Sequence, residues 1–371
     1  MSANPDLYGS SAPVLRVDGE RMPALARDLL RLEVREDTQG LKRLAARFTA
    51  WGLVPGGDNE GLLHLDGREL DFGRRIEVSL GPAASAQTVF SGAISAIETE
   101  WREGAEPQLL VFAEDALMRL RLTHRCKTYE ASSDADIVRF IAAEHGLDAV
   151  VEAEGPTHAV VQQWNQSDLA FLRERARLLQ AEIWLAEQTL HFATRDRRGG
   201  ATITLVNGGM VGGDAGGKLL RLNARADLAH QRSEIHVAGY DLAARESIDE
   251  QAGPEAVQAE AGGARMGAQL LGQALGEFKS HRLREVPLSG AAAQAWARAE
   301  MLRRARGFVQ VSGLTNGTPE MVVGSTLELV GVGPLFGGDG YRVTSLTHSY
   351  DLADGHRTAF TAERPRLETL A

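Results

Sequence analysis

The chain has 371 residues, room for two or three ordinary domains, and its 43% hydrophobic and 24% charged residues are a globular balance. A net charge of −10 and a pI near 5.6 argue against a specific nucleic-acid surface, and short clusters such as Arg195, Arg197 and Arg198 or Arg303, Arg304 and Arg306 read as solvated faces. No apolar run is long enough to cross a bilayer, Met1–Ser11 has no basic-then-apolar signal pattern, and the single Cys126 excludes an internal disulfide and a thiolate metal cage. The expectation is a protein made in a cytoplasm, without stable membrane insertion, in which Cys126 is a small buried hydrophobe.

In chain order, Ala12 to Val17 reads as a strand closed by an Asp18-Gly19 turn, followed by strands at Leu30 to Val34 and Leu41 to Trp51. After the loop Pro55-Gly56-Gly57-Asp58-Asn59 come Leu62 to Leu65, Gly73 to Leu80, Val89 to Trp101 and Gln108 to Ala113. Short alternating runs bounded by Gly, Pro or Asp predict an antiparallel barrel or sandwich. Near residue 126 the character changes. Ser133 with Asp136 three residues on resembles a capping box, Ile137, Phe140 and Ile141 form a stripe, and Gly146 ends the helix. A second helix starts at Ser167-Asp168 with Leu169, Leu172, Ala176 and Leu179 on one face. Ile183 to Leu185 and Leu190 to Phe192 form a hairpin.

Strands return at Thr202 to Val206, Leu220 to Leu228 and Glu234 to Gly239. Leu220, Leu222, Ala224, Ala226 and Leu228 alternate and imply one buried face. Gln251 to Lys279 is rich in Ala, Gly and Gln, and composition does not decide between a loose helix and a mobile insertion. Ser289 to Arg306 is a helix ended by Gly307, and Met321 to Val330, Tyr341 to Asp351 and His356 to Glu363 complete a second strand-rich block, with Asp354-Gly355 as its last turn.

The two strand-rich blocks resemble each other. Gly73 to Val78 matches Gly324 to Leu329, Phe90-Ser91-Gly92 matches Phe336-Gly337-Gly338, Ile94, Ile97 and Trp101 match Val343, Leu346 and Tyr350, and Val111, Ala113 and Glu114 match Phe360, Ala362 and Glu363. The common order and near-constant offset favour an internal duplication. The expected architecture is α+β, mainly β, with two similar antiparallel β-barrels and an inserted smaller α/β domain. The first barrel covers 1–125, the insert 126–218, and the second barrel 219–371 with an Ala/Gly-rich insertion around 251–282.

Two stretches carry a family resemblance. One is Gln163-Trp164-Asn165-Gln166-Ser167-Asp168-Leu169-Ala170-Phe171-Leu172-Arg173; the other is Tyr341-Arg342-Val343-Thr344-Ser345-Leu346-Thr347-His348-Ser349-Tyr350-Asp351 with its return Arg357-Thr358-Ala359-Phe360. Ser133 to Val138 and Gly146-Leu147 fit as well. In their order they resemble the late-control D family of contractile-phage tail hubs, which is similar to the hub half of the valine-glycine-repeat proteins of type VI secretion and to hubs of extracellular contractile injection systems. The resemblance covers nearly the whole chain. It implies a homotrimer that adapts the hexameric inner tube to the trimeric spike and a final home in the baseplate. The partners it implies are the first inner-tube ring or a tube-initiator protein, baseplate wedge proteins and the spike. The chain ends at Ala371 without a β-helix, so the spike is expected to be a separate spike protein.

Chemical motifs are weak. Gly212-Gly213-Asp214-Ala215-Gly216-Gly217-Lys218 has phosphate-loop spacing, but Leu219 stands where a Ser or Thr holds magnesium, and a strand follows instead of a helix; it reads as a flexible glycine turn. Gly331-Val332-Gly333-Pro334 is a turn outside any dinucleotide-binding setting. The ten histidines include no His-Glu-x-x-His pair, and His348 reads as a structural hydrogen-bonding residue. No catalytic, cofactor-binding or metal-binding residue is therefore expected. The alternatives are a tail-associated peptidoglycan hydrolase, which needs two facing carboxylates, and the hub of a non-contractile tail. Three chains at −10 each carry −30, which would let DNA or cargo slide if it lined a channel; the sequence does not say which way the charges face.

Overall fold

The computed structural model describes residues 12–54, 59–82, 86–208, 217–242, 244–262, 265–282 and 289–368. Alternating apolar residues make the first block a six-stranded sheet: β1 (Val14–Val17), β2 (Leu29–Asp37), β3 (Arg43–Thr49), β4 (Arg75–Leu80), β5 (Gln87–Glu100) and β6 (Gln108–Glu114). Their spatial order is β1-β4-β5-β6-β3-β2. Leu32, Val34, Leu44, Phe48, Ile76, Val78 and Val111 fill its core. The Asp18-Gly19 turn has both residues at positive φ, 50° and 86°, the backbone of a tight hairpin turn that favours Asp and Gly.

The middle domain follows as α1 (Leu117–Leu122), β7 (His124–Ser133), α2 (Asp134–Glu144), β8 (Asp148–Glu152), β9 (Thr157–Ser167), α3 (Asp168–Leu179), β10 (Ala181–Ala186) and β11 (Thr189–Thr194). The expected hairpin is β10 with β11, and β8 joins it in parallel; β7 and β9 form a separate pair. Both expected helices are present, and the capping box at Ser133 is complete. Cys126 departs from expectation. It is exposed, because it points outward from the β7–β9 ribbon between His124 and Thr128, which are also exposed.

The second block contains β12 (Thr202–Val206) and β13 (Gly217–Ala226), then a small unit made of β14 (Glu234–Asp241), β15 (Glu246–Ala252), α4 (Gly267–Ala274), β16 (Lys279–Arg282) and α5 (Gly290–Arg306). Strands β17 (Val309–Asn316), β18 (Thr326–Val330), β19 (Gly338–Asp351) and β20 (Gly355–Arg364) complete the block. The order β12-β18-β19-β20-β17-β13 returns to β12, so this sheet closes into a barrel. Leu205, Val311, Leu327, Tyr341 and Phe360 pack its interior. Among the described residues no pairing closes β1 onto β2. Instead β2 pairs with Ser345–Asp351 of β19, and the two blocks, with a short Glu20–Arg21 strand beside β1, share one thirteen-stranded sheet.

The second block starts earlier than the expected boundary at 218, since β12 is a barrel strand paired in parallel with β18. The Ala/Gly-rich stretch contributes α4 and β16: β15 and β16 flank β14, and α5 packs on this sheet through Ala293, Trp296 and Ala297. Small alanines let that helix approach the strands closely. Phe336-Gly337-Gly338 lies three residues out of step with Phe90-Ser91-Gly92. Ile76 opposite Gly92 corresponds to Leu327 opposite Tyr341, which makes Tyr341 the counterpart of Gly92. The alternating face of β13 is only half covered: Leu222 and Ala224 are half-buried, Leu220 is exposed, and Leu219 is buried instead. A bulge between Leu219 and Arg221 shifts the alternation, and β13 lies on a free sheet edge beyond Lys218. The glycine loop at 212–216 lies outside the described residues.

Candidate interaction surfaces

Two helix starts show what the Ser-Asp motifs do. Ser167 Oγ accepts the Ala170 N–H, and Asp168, fully buried, accepts from Arg125 Nε at 2.8 Å and Gln163 Nε2 at 2.9 Å. His145 Nε2 lies 2.8 Å from the same carboxylate. Burial opposes charge on Asp168, yet the bonds from Arg125, Gln163 and His145 outweigh it and hold its carboxyl below the usual range. The pattern repeats at Asp134, which accepts from Arg175 at 2.5 Å and lies 3.1 Å from His158 Nε2. Burial again opposes the charge, and His158 and Arg175 again win. A carboxylate at a helix N-terminus, held by an arginine and a histidine from other elements, is a structural clamp.

His348 is buried on β19, with Nδ1 3.1 Å from Thr358 Oγ1 and Nε2 3.1 Å from the Met321 carbonyl, and His356 Nε2 is 3.3 Å from His348 Nδ1. Burial pushes His348 down to about 4 and His356 to about 3, so both imidazoles are neutral near pH 7. The expected structural hydrogen bonds of His348 are present. Among the described residues no group of three or more His, Cys, Asp or Glu is arranged to hold a metal ion.

A cleft of about 550 Å³ lies where the two blocks and the middle domain meet. Arg173, Arg177, Arg195, Arg303 and Arg306 line it with Glu174, Glu182 and Glu363. The carboxylates are engaged: Glu363 accepts from Arg195 at 3.0 Å, and Glu182 from Arg198 at 3.1 Å. Arg198 also bonds Glu36 of β2 at 2.7 Å. Burial raises the Glu363 carboxyl, against the pull of Arg195 and Arg306. These pairs tie the middle domain to both blocks.

The open features are sheet edges. The first half of β5, through Ile94, pairs with β4 and the turn before it, and among the described residues Ser95–Glu100 has β6 on one side only. Among the described residues, β13 beyond Lys218 has β17 on one side only. Trp101 at the end of β5 is 61% exposed and Leu220 on β13 is 39% exposed. Soluble sheets blunt their open edges with charge, bulges or a covering element, so two edges with exposed apolar neighbours are candidate contact surfaces. Sequence reasoning named no such residue; its signal was the clean alternation of β13 without enough chain to cover it. Among the described residues no helix is long and apolar enough to cross a membrane.

No curated protein matches the chain. Solved structures do. The 43 kDa tail protein of prophage MuSo2 from Shewanella oneidensis is similar at a TM-score of 0.69 and 12% identity, over 95% of this chain and 98% of that one. The tail protein from Neisseria meningitidis MC58 gives 0.65 at 14% identity over 95% and 96%. The E. coli c3393 protein, a type VI secretion component with structural similarity to T4 bacteriophage tail proteins, gives 0.57 at 14% over 96% and 79%. The fold is therefore the tail-hub-like fold that the motifs suggested, mainly β with a closed barrel. The family model of the Alg8 N-terminal domain matches residues 64–351, and the chain belongs to that family.

Proposed function

We propose that the chain is a structural baseplate hub of a contractile tail or injection system, a homotrimer that adapts a hexameric inner tube to a trimeric spike. The carrying observation is internal repetition. Numbered along the chain, both blocks order their strands first, fourth, fifth, sixth, third, second. Ile94 pairs with Ala113 before a bulge, and Val343 pairs with Ala362 before a bulge. The Gly73 N–H donates to the Ile94 carbonyl at 2.9 Å, as the Gly324 N–H does to Val343 at 2.9 Å. This agreement supports two similar barrels per chain, the first open at one seam.

Three such chains present six similar units, which is what a threefold object needs to meet a sixfold ring. On this reading the α/β domain and the smaller unit between β13 and β17 are insertions carried on the ring. A separate spike protein, the first tube ring or a tube-initiator, and wedge proteins are the partners. The particle assembles in the cytoplasm, and the work is done by shape and buried interface without a catalytic residue or cofactor. Light scattering across a concentration series tests it: three chains of 40.0 kDa give about 120 kDa. A mass that stays at one chain at every concentration overturns the trimer.

A further inference from the structure

The joint between β2 and β19 inside the chain has a second, unfilled version. Block equivalence assigns each strand a counterpart. β5 and β6 map onto β19 and β20 through Ile94 with Val343 and Ala113 with Ala362. β3 maps onto β17 through Leu44 and Val311, the partners of those two alanines. β2 then maps onto β13, because Val34 opposes Leu44 and Ala224 opposes Val311. The bulges check this mapping independently: β2 has one between Leu29 and Arg31, and β13 has one between Leu219 and Arg221, the same place. In the filled joint β2 pairs with the second half of β19. In the unfilled version the counterparts are β13 and the second half of β5, and neither edge has a partner among the described residues.

We propose that β13 of one copy pairs antiparallel with the second half of β5 of another copy, in the register that puts Arg225 opposite Glu98. This rests on the trimeric reading above and names its interface. Within the chain, Arg35 faces Thr347, Leu32 faces Tyr350 and Glu36 faces Leu346. Carried over, Arg225 faces Glu98, Leu222 faces Trp101 and Ala226 faces Ile97. The chemistry agrees with that register. One face of the joint is apolar, with Ala226 and Ile97, Ala224 and Thr99, then Leu222 and Trp101. The other is polar and charge-matched, with Arg225 against Glu98 and Asn223 against Glu100. Arg221 meets Arg102, whose charge Glu100 already offsets. Burial fits too. In the filled joint Leu32 and Val34 are 0% and 1% exposed, while their counterparts Leu222 and Ala224 remain half open, Trp101 is 61% exposed and the Arg225 side chain 70% exposed. A second copy supplies what the alternating face of β13 lacks. The contact is head-to-tail, so it closes as a ring in which joints within chains alternate with joints between chains.

The test uses the full chain with Cys126→Ser as background. One preparation carries Glu98→Cys and another Arg225→Cys; they are mixed, oxidised and run on a non-reducing gel. A disulfide-linked dimer that forms in the mixture and in neither preparation alone is the expected result, because cross-strand partners lie within disulfide reach. Arg35→Cys with Thr347→Cys should close a bond within one chain and calibrates the geometry. An internal bond with no mixed dimer, in a protein whose mass is that of a trimer, overturns the joint and leaves the trimeric reading intact. A mass of one chain at every concentration overturns both. As an independent measure, Glu98→Arg or Arg225→Glu alone should weaken association on the order of fivefold per joint, and the two together should restore it. A double variant no better than the singles overturns the pairing.

Discussion

Asp168 has no water contact, yet it carries a charge at the start of α3. Its partners come from three places: Arg125 on β7, His145 after α2 and Gln163 on β9. Removing it strands Arg125 and the end of the helix. Asp168→Ala should cost on the order of 3 kcal/mol or more, read as a lower urea midpoint with an unchanged slope. The histidine pair on β19 and β20 gives a different signature. Unfolded, both titrate near 6.5, and folded they lie at about 4 and about 3. Above pH 6.5 neither state takes a proton. Between 6.5 and about 4 only the unfolded chain does, so stability falls as pH drops through that window and levels off near 3. Asp115, raised to about 6 by burial, and Glu363, also raised by burial, act in the opposite sense, so the histidine contribution is the difference between the parent chain and a variant without the pair. Urea midpoints measured against pH should show this slope as that difference, with His348→Gln and His356→Gln together as the variant. The serines at 133 and 167 were legible in the sequence because caps are local. The arginines and histidines were not, since their partners are assigned only by the fold.

At the scale of elements, the repeated turn before β4 and β18 offers a matched pair. Gly73 and Gly324 occupy the left-handed region at φ 78° and 97° and make the same backbone bond. A side chain at 73 meets nothing within 4 Å, whereas at 324 it meets the Arg198 carbonyl at 2.8 Å. Gly73→Ala should therefore cost about 1–2 kcal/mol from backbone strain alone, and Gly324→Ala distinctly more; thermal melts of the two variants side by side measure the difference. The strands of both blocks were readable because one face of each is apolar. Several elements escaped, α1 and β8 among them. β7 and β9 form a two-stranded ribbon with much exposed surface, so their pattern is polar, and β17 follows α5 so closely that its strand signal merges with the helix end. β14 was read as Glu234 to Gly239, but its neighbours β15 and β16 were not, since they border a stretch rich in Ala and Gly that gives no period of its own.

For the whole molecule, Arg198 is the residue to remove. It is 3% exposed, links Glu182 of the middle domain to Glu36 of the first block, and its carbonyl accepts from Arg342 of the second. Arg198→Ala leaves the half-buried Glu182 without its arginine and Glu36 with Lys42 alone at 3.2 Å, at a cost on the order of 3 kcal/mol. Calorimetry should show one transition in the parent chain and an early, separate transition of the middle domain in the variant. Of the architecture, the near-constant offset between similar strands of the two blocks was visible. The seam was not, because which strand closes a barrel depends on twist and neighbours that no local pattern encodes.

Strand β19 serves both sheets: its first half runs beside β18, its second half beside β2, and β20 flanks nearly its whole length. The two blocks thus have no linker between them at this joint, and nothing there can act as a hinge. A pull along β19 loads its ladder in shear, all rungs together, whereas a pull across it would open them one at a time. The joint is stiff along one direction and weakest along another, so the orientation in which the chain is held decides how much tension it bears.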